Sequence, residues 1–266
     1  MQKTKIEWTD YVYNPVKGLC PGVYTECAEF CYARKIYKRF NFDPIIRLDK
    51  KELNCPMPKK PSRIFTGSTF DYSFARESWI IKILDIIKNN PQHTFIFLTK
   101  NPNLYDNFVF PINCWLGMMI FGSKKNISSG QNIERYLFLK FKNMDLPNLK
   151  FISFEPLLRD ALGDEDLKGI GWVIIGAQTR PNIQPKPEWV NKIIHRATIN
   201  KCKIFLKDNL EYNPDKLNLN SIEWKYLFRQ IPKSKEVGND TANFSLAEIE
   251  KKKLEREEER EEEREA

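Results

Sequence analysis

The sequence predicts an α/β protein built on a mostly parallel sheet, in the form of a partial (βα) barrel of the TIM type. Short runs rich in Ile, Phe and Val recur along the chain, and segments with helical spacing separate them. The length of 266 residues and the 41% apolar content suffice for one such domain. We therefore expect a main domain over residues 1–230, followed by a linker and charged tail over residues 231–266.

Six apolar runs are predicted as strands: Arg63 to Thr66, Thr94 to Thr99, Cys114 to Ile120, Lys150 to Phe154, Gly171 to Ile175 and Lys203 to Leu206. Three segments show helical spacing and are expected to coat the sheet: Ser73 to Asn89, Ser129 to Lys142 and Pro187 to Ile199. The first has a stripe of apolar side chains that Pro91 ends, and Pro187 suits a first helical turn.

The C-terminal tail differs from the body in charge. From Ala247 to Ala266 there are six Lys/Arg and ten Glu, a net of −4, so the preceding body carries +12 of the total of +8. Ser245-Leu-Ala-Glu248 resembles a capping box, and an exposed helix or a disordered tail is predicted, with a protein partner as one use for it.

The basic body suggests a polyanionic partner, and nucleic acid (DNA or tRNA) comes first. Behind the third cysteine, Arg34, Lys35, Lys38 and Arg39 alternate with Tyr37 and Phe40. Such a helix could follow a phosphate backbone while an aromatic ring stacks on a base. A solvated amphipathic face explains the same pattern, so both interpretations stay open.

No apolar run approaches the ~20 residues that cross a bilayer, and the start of the chain lacks the apolar core of a signal peptide. We expect a cytoplasmic protein with no membrane partner. Its six cysteines are then reduced thiols or metal ligands.

Distinctive polar residues follow the predicted strands. In parallel α/β sheets the ligand lies at the carboxyl ends of the strands. The candidates there are Gly67-Ser68-Thr69-Phe70-Asp71, Thr99-Lys100, Glu155-Pro156, Gly176-Ala177-Gln178 and Lys207-Asp208. Simple turns account for part of this set. A carboxylate such as Glu155 needs a partner when it is desolvated, and Lys100 or Lys207 is expected to supply it.

Cys20, Cys27 and Cys31 lie within twelve positions and predict a metal centre. A structural zinc site needs a fourth ligand, for which Cys55, His93 and His195 are the candidates. A [4Fe–4S] cluster on three cysteines instead leaves one iron free, where S-adenosyl-L-methionine could bind. Spacing alone does not choose between zinc and iron. His93, before a strand, and His195, on a helix, are expected to be structural, and Cys114 and Cys202 to be buried.

These residues together resemble a known family. The resemblance rests on Lys5-Ile6-Glu7-Trp8-Thr9-Asp10, Asn14-Pro15-Val16, the three cysteines with Tyr32-Ala33, Leu98-Thr99-Lys100, Phe154-Glu155-Pro156-Leu157, Trp172-Val173-Ile174-Ile175-Gly176 and Phe205-Leu206-Lys207. Over roughly residues 1–210 the chain is similar to the phage-borne "gp thirty-seven / gp sixty-eight" family, a domain of unknown function with radical-SAM-like features.

The resemblance implies a partial barrel of radical-SAM type that acts on a nucleic acid or nucleoside by hydrogen-atom abstraction and takes electrons from a donor. Cys20, Cys27 and Cys31 would ligate the cluster. Glu155, Lys100 and Lys207 would be catalytic. The cofactor-binding set would be Gly67, Ser68, Thr69, Asp71, Gly176, Gln178 and Tyr32.

The chain departs from the pattern in two places. Its cysteines are spaced C-x6-C-x3-C, whereas the standard radical-SAM spacing is C-x3-C-x2-C and the phage-borne family more often shows C-x7-C-x2-C. Gly176-Ala177-Gln178-Thr179 replaces Gly-Gly-Glu-Ser and so loses a carboxylate. An amide still forms hydrogen bonds but cannot act as a base. Two rival interpretations follow: a nucleic-acid-binding module with structural zinc, and a catalytically degenerate barrel that acts as an adaptor through its tail.

Overall fold

The computed structural model describes residues 1–21, 25–123, 132–212 and 228–233, and it has a mixed α/β architecture. The strands are β1 Gln2–Lys3, β2 Tyr11–Tyr13, β3 Val16–Lys17, β4 Arg47–Leu48, β5 Arg63–Thr66, β6 Thr94–Thr99, β7 Cys114–Ile120, β8 Leu149–Phe154, β9 Trp172–Ile175, β10 Gln178–Thr179, β11 Asn182–Ile183 and β12 Lys203–Leu206. The helices are α1 Thr25–Phe30, α2 Tyr32–Phe40, α3 Lys50–Leu53, α4 Glu77–Lys88, α5 Ile133–Asn143 and α6 Pro187–Ile199. The predicted tail and most of the linker, from residue 234 onward, lie outside the described residues.

Eight strands form one sheet in the order β1-β2-β5-β6-β7-β8-β9-β12. Strand β1 is antiparallel to β2, and all later neighbours are parallel. The parallel strands therefore follow one another in chain order, which is the order of a (βα) barrel. All six predicted strands are confirmed, four of them with the same bounds. Strand β2 was not predicted.

The sheet has two apolar faces, because parallel strands alternate their side chains between two cores. The inner face carries Trp8, Phe65, Ile96, Trp115, Phe151, Trp172, Ile174 and Phe205. The outer face packs against helices, for example through Ile80, Ile83 and Ile87 of α4 and Val190, Ile193 and Ile194 of α6. The predicted helical stripes are thus confirmed as core contacts.

The sheet curls so that its two ends approach each other. The Trp8 ring lies 4.8 Å from the Phe65 ring on β5 and 6.1 Å from the Trp172 ring on β9, centroid to centroid. Arg229 pairs with Phe205 of β12 in an antiparallel bridge and contacts Glu7 near the N-terminus, with 2.7 Å between Nη2 and Oε2. In the described residues, side chains rather than a strand ladder link the two ends, and no hydrogen-bonded pairing of β1 with β12 closes the sheet.

The structure places the predicted structural residues as expected. His93, at the amino end of β6, is 1% exposed, and its Nδ1 accepts a hydrogen bond from the Ser62 backbone at 3.2 Å. His195 is exposed on α6. Cys114 and Cys202 are buried. Within the described part of the chain no helix has the length and apolar character needed to span a bilayer.

A buried lysine terminates α5. Lys150, on the outer face of β8, donates from Nζ to the backbone oxygens of Lys142 at 2.6 Å and Met144 at 2.7 Å. Carbonyls at a helix C-terminus favour such a cation. Burial nevertheless lowers the pKa of Lys150 to about 8.

This lysine makes stability depend on pH. Below about pH 8, Lys150 is protonated in both the folded and the unfolded protein, and the folded protein carries the full cost of burying the charge. Between about pH 8 and 10.5, Lys150 is protonated only in the unfolded protein. We expect wild-type stability to rise across that window by roughly 2–3 kcal/mol relative to Lys150→Met. Urea unfolding at several pH values measures this difference. The exposed-site control Lys82→Met should follow the wild type, and an equal slope in Lys150→Met would contradict the assignment.

Candidate functional site

The carboxyl ends of the parallel strands converge on one mouth, and strand alternation decides which side chains enter it. The inner residues Val12, Leu98 and Phe205 alternate with outer residues, and the period of two continues past the strand ends. The inner positions there are Asn14 after β2, Gly67 after β5, Lys100 after β6, Phe121 after β7, Glu155 after β8, Gly176 after β9 and Lys207 after β12. Five of these seven were predicted from sequence.

The cysteine segment lies across this mouth. The Phe30 ring packs edge-on against Phe121 after β7, with 5.2 Å between centroids. The Tyr32 hydroxyl donates to the backbone oxygen of Ser68 after β5. Lys35 Nζ donates to the backbone oxygen of Arg180, beyond β9, at 2.7 Å. Helices α1 and α2 therefore contact the ends of three different strands.

Cys20 forms hydrogen bonds with the turn after β5 and with helix α2. Cys20 Sγ accepts a hydrogen bond from the Asp71 backbone N–H at 3.2 Å. Arg34 Nη2 donates to the Cys20 backbone oxygen at 2.7 Å, so α2 holds the loop that carries Cys20. Sequence analysis considered Arg34 only as a nucleic-acid contact. The structure gives it a role in holding the cysteine segment.

The three thiols share one electrostatic environment with Lys100. Burial raises the pKa of Cys20 to about 11, with smaller effects from Asp71, Lys100 and Cys31. Burial also raises the pKa of Cys27, which Lys100 opposes and Cys31 reinforces. Burial acts to lower the pKa of Lys100, but Cys27, Asp71, Cys20 and Cys31 together raise it above its ordinary value. The half-buried ammonium of Lys100 is therefore the nearby positive charge for all three thiols.

The donor set fits a thiolate-bound metal centre, although the side chains are not gathered into one. In the described ranges no three His, Cys, Asp or Glu side chains are arranged to hold a metal ion. Metal binding removes the protons of thiol ligands and draws those ligands together. The assignment of Cys20, Cys27 and Cys31 as metal ligands stays a prediction.

The proposed fourth zinc ligands lie elsewhere. Cys55 Sγ accepts a hydrogen bond from the Met1 amino group at 3.2 Å, beside Glu52. His93 lies at the amino end of β6, opposite the mouth, and His195 faces solvent on α6. None of these three candidates joins Cys20, Cys27 and Cys31.

Asp71 has structural contacts for both carboxylate oxygens. Oδ1 accepts from the Thr99 hydroxyl at 2.6 Å and from Ser73 N at 3.1 Å, and Oδ2 accepts from Lys100 N at 2.9 Å. It joins the ends of β5 and β6 and thereby positions both Cys20 and Lys100. The prediction that Asp71 binds a cofactor stays untested, but its oxygens are already engaged in this structure.

The turn after β5 brings the other predicted cofactor-binding residues to the mouth. Gly67 has φ of 80°, a left-handed conformation, and an added Cβ would lie 2.6 Å from the Tyr72 ring. Ser68 Oγ accepts from Asn14 Nδ2 at 3.0 Å, and Thr69 is half-buried beside it. Asn14 was missed by sequence analysis. Strand β2, which places it, has only three residues.

Glu155 and Lys207 form an ion pair across the mouth, between Oε1 and Nζ. Ser153 Oγ donates to Glu155 Oε2 at 2.9 Å. A Cβ on Gly176 would lie 3.0 Å from Glu155 Cγ and 3.0 Å from Lys207 Cδ, so the glycine leaves room for the pair to meet over β9. Of the two partners expected for Glu155, the structure selects Lys207, while Lys100 lies with the thiols.

The last two predicted cofactor-binding residues are Tyr32 on α2 and Gln178 in the hairpin after β9. Half of the Tyr32 side-chain surface is exposed, but its hydroxyl end lies against Ser68, and desolvation there raises the pKa of the hydroxyl to about 12, with smaller effects from Ser68, Cys31 and Glu155. Tyr32 thus lies between the cysteines and the ion pair. Gln178, in contrast, is buried in the β10–β11 hairpin and donates from Nε2 to the Pro181 oxygen at 3.2 Å.

The end of β7 is closed by a carboxylate that sequence analysis overlooked. Glu134 of α5 accepts hydrogen bonds from the backbone N–H groups of Phe121, Gly122 and Ser123 at 2.7–2.8 Å. These amides follow a parallel strand and would otherwise suit an anionic ligand. Glu134 lies in the first turn of a helix and fourteen positions after the last residue of β7. Such a glutamate is a weak signal in the sequence, because only the fold brings its carboxylate back to the end of the strand.

The ion pair yields a prediction about stability. The Glu155 side chain is 15% exposed and that of Lys207 22%, so Lys207→Met would leave the Glu155 carboxylate unpaired in a largely buried position. We expect a loss of about 2–3 kcal/mol in the free energy of unfolding, measured in urea. The double variant Glu155→Gln/Lys207→Met should recover at least half of it. Lys192→Met, which breaks the more exposed pair with Asp160, should cost less than about 1 kcal/mol. If Lys207→Met and Lys192→Met lowered the free energy of unfolding equally, the prediction would be wrong.

Comparison with known proteins gives one match. A family model described as protein of unknown function (DUF5131) matches residues 3–265, which is nearly the whole chain. No curated protein and no solved structure matches the chain. The resemblance to the phage-borne family stays a prediction. On the extent of the family match, the chain belongs to the DUF5131 family of proteins of unknown function.

Proposed function

We propose that the protein is a radical S-adenosyl-L-methionine-like enzyme with a [4Fe–4S] cluster that acts on a nucleic acid or nucleoside. One observation carries the proposal: a segment with three neighbouring cysteines lies at the carboxyl end of a sheet with seven parallel strands in chain order and contacts the ends of three of them. Ligands of parallel α/β sheets bind at this end. Three thiols at this end of the sheet are therefore placed where a ligand or cofactor binds, which favours a role in catalysis over a purely structural one.

Cys20, Cys27 and Cys31 would hold the cluster. When bound, a cluster with one free iron would supply the electron for reductive cleavage of S-adenosyl-L-methionine. The contribution of the chain is binding, orientation and exclusion of water. Phe30 against Phe121 covers the side of the segment that faces β7. Lys100 provides a positive charge beside the thiolates, which favours their deprotonated form.

The polar residues of the mouth divide into two groups in this proposal. Backbone groups of the Gly67–Thr69 turn, held by Asn14 and Tyr32, would receive the polar end of the cofactor. The Glu155–Lys207 pair, on the opposite side, would meet a ribose hydroxyl or the substrate. A carboxylate that is already paired can accept a hydroxyl hydrogen bond without a new desolvation penalty.

The proposal is tested by metal analysis and an absorption spectrum of anaerobically reconstituted protein, followed by a measurement of 5′-deoxyadenosine release. We expect about four irons per chain, a brown colour and release that depends on a reductant. Zinc at one equivalent without iron, and unfolding by a chelator, would instead indicate a structural zinc site and would overturn the proposal.

A further inference from the structure

A pair of phenylalanine rings lies exposed at the end of α2. Phe40 is 56% exposed and Phe42 is 53% exposed, yet the two rings stack on each other with 5.6 Å between centroids and 23° between planes. Ile45, 68% exposed, follows shortly after them. Exposed apolar side chains that are ordered against one another usually mark a binding surface. We call Phe40 and Phe42 the ring platform.

The backbone holds the ring platform in place. Asn41 caps α2 in a left-handed conformation, φ 50° and ψ 43°, which reverses the chain and brings Phe42 back beside Phe40. The Phe42 N–H donates to the Tyr37 backbone oxygen at 3.0 Å. Tyr37 is buried, packs edge-on against Phe42, and its hydroxyl accepts a hydrogen bond from Gly18 N at 2.8 Å. The rings are therefore presented on a fixed support.

The buried position of Tyr37 changes the prediction made from sequence. Tyr37 cannot stack on a base, since its ring is covered and its hydroxyl is engaged. Arg34 and Lys35 are likewise bound to backbone oxygens of the site. Of the pattern singled out in the sequence, Lys38, Arg39 and Phe40 remain on the surface.

The charge around the ring platform is positive. The Arg39 guanidinium lies 5.3 Å from the centroid of the Phe40 ring. Neither Lys38 nor Arg39 forms an ion pair with any residue that the structure describes. The nearby Asp43 is paired with Arg47 at 3.1 Å and is thereby neutralised. Stacked rings bordered by unpaired cations match the chemistry of unpaired bases joined by phosphates.

We propose that the ring platform binds single-stranded nucleic acid, with bases stacked on Phe40 and Phe42 and phosphates on Lys38 and Arg39. The occupant follows from charge and size. Three exposed apolar residues are far fewer than the 20–30 residues per side of a typical protein interface. Insertion into lipid would require burying the charged pair of Asp43 and Arg47.

The position of the ring platform connects it to the candidate site. Phe40 lies eight positions after Tyr32 on α2, which corresponds to about 12 Å along the helix axis. A strand stacked on the ring platform would therefore reach the mouth within a few nucleotides. This inference rests on the proposed function only where it makes the bound strand the substrate, since binding itself needs no cofactor.

Fluorescence anisotropy on the protein without added cofactor tests the proposal. The probes are a labelled DNA strand of about 16 nucleotides, its duplex, and an RNA strand of the same sequence. We expect both or one of the single strands to bind at least about 10-fold tighter than the duplex, and the two strands distinguish DNA from RNA as the source. Phe40→Ala should weaken binding by at least about 5-fold, and Phe40→Trp should preserve it.

Two further variants separate stacking from charge. Tyr136→Ala removes a ring that is 50% exposed on α5, beside basic residues, and should leave binding unchanged. Lys38→Ala should lower the slope of log affinity against log salt by about 0.7 without changing the preference for single strands.

Three results would overturn the proposal: a Phe40→Ala/Phe42→Ala variant that binds like the wild type, a duplex bound as tightly as the strand, or binding to anionic phospholipid vesicles that depends on the same rings. The outcome is separate from that of the proposed function. Strand binding through the rings in a protein that takes up no iron would uphold the ring platform and reject the enzyme. Release of 5′-deoxyadenosine in a protein that binds no strand would do the reverse.

Discussion

Cys27→Ala is expected to reduce iron uptake on anaerobic reconstitution from about four atoms per chain to below about one, with loss of the brown colour. Cys27 lies on α1, and its thiol is influenced by Lys100 and Cys31. With one of three ligands removed, two thiolates remain, which do not hold a cluster against exchange with solvent thiols. The measurement is iron per chain, with an absorption spectrum of the same sample.

A matched control uses a cysteine outside the site. Cys55 is half-buried like Cys27, but it lies beside the N-terminal amine and Glu52. Cys55→Ala should keep the iron content and colour of the wild type. Iron retained in Cys27→Ala would show that this thiol is not a ligand. Loss in both variants would show that the thiols act through folding.

Cys20→Ala should have the same effect on iron but a different effect on the loop. Cys20 Sγ accepts the Asp71 N–H, and Asp71 joins the ends of β5 and β6. Losing that thiol frees a backbone donor near the mouth, so a loss of about 1 kcal/mol in stability should accompany the loss of iron. The comparison of Cys20→Ala with Cys27→Ala separates the ligand role from the structural contact.

The barrel-like order of the strands could be predicted because the central strands are apolar on both faces. Thr94–Thr99 and Cys114–Ile120 lie between two cores, so nearly every residue in them is apolar, and the run ends where the strand ends. Strand β2 escaped prediction for the opposite reason. It has three residues, and its hydrogen bonds to β5 define it rather than its composition.

The candidate site was predicted in position but not in pairing. Placing Lys100, Glu155 and Lys207 at strand ends requires only the strand bounds and the period of two. The choice of Lys207 as the partner of Glu155 depends on strand order, since β9 alone separates β8 from β12. It also depends on the absence of a side chain at Gly176, because Glu155 and Lys207 approach each other over this residue. Glu155, Gly176 and Lys207 are far apart in the sequence, so this contact could not be predicted from it.

The exposed rings show the same limit. Helical spacing puts Tyr37 and Phe40 on one basic segment and predicts that an aromatic ring of this segment stacks on a base. The structure buries Tyr37 beneath Phe42 and leaves Phe40 outside. A left-handed cap at Asn41 makes this arrangement, and the sequence pattern of the helix ends before it.

Trp172→Ala is expected to lower the free energy of unfolding by about 4 kcal/mol, the largest effect on stability predicted for this protein. Trp172 is fully buried on the inner face, and its ring contacts those of Trp8, Trp115, Phe151 and Phe205 at 5.2–6.3 Å between centroids. Its Nε1 also donates to the Gln230 oxygen at 2.9 Å. The substitution leaves both a cavity and an unpaired carbonyl.

Urea unfolding at neutral pH measures this loss, and two variants interpret it. Trp172→Phe keeps most of the ring contacts and should cost about half as much. Trp189→Ala removes a half-buried tryptophan from α6, which packs at the edge of the outer core and whose ring also contacts Lys186, and it should cost no more than about 2 kcal/mol. Trp8 contacts both Trp172 of β9 and Phe65 of β5, so the Trp172 ring also helps to connect the two ends of the sheet. A loss in Trp172→Ala no greater than that in Trp189→Ala would mean that the inner face is not a packed core, and the mouth built on it would lose its rigid support.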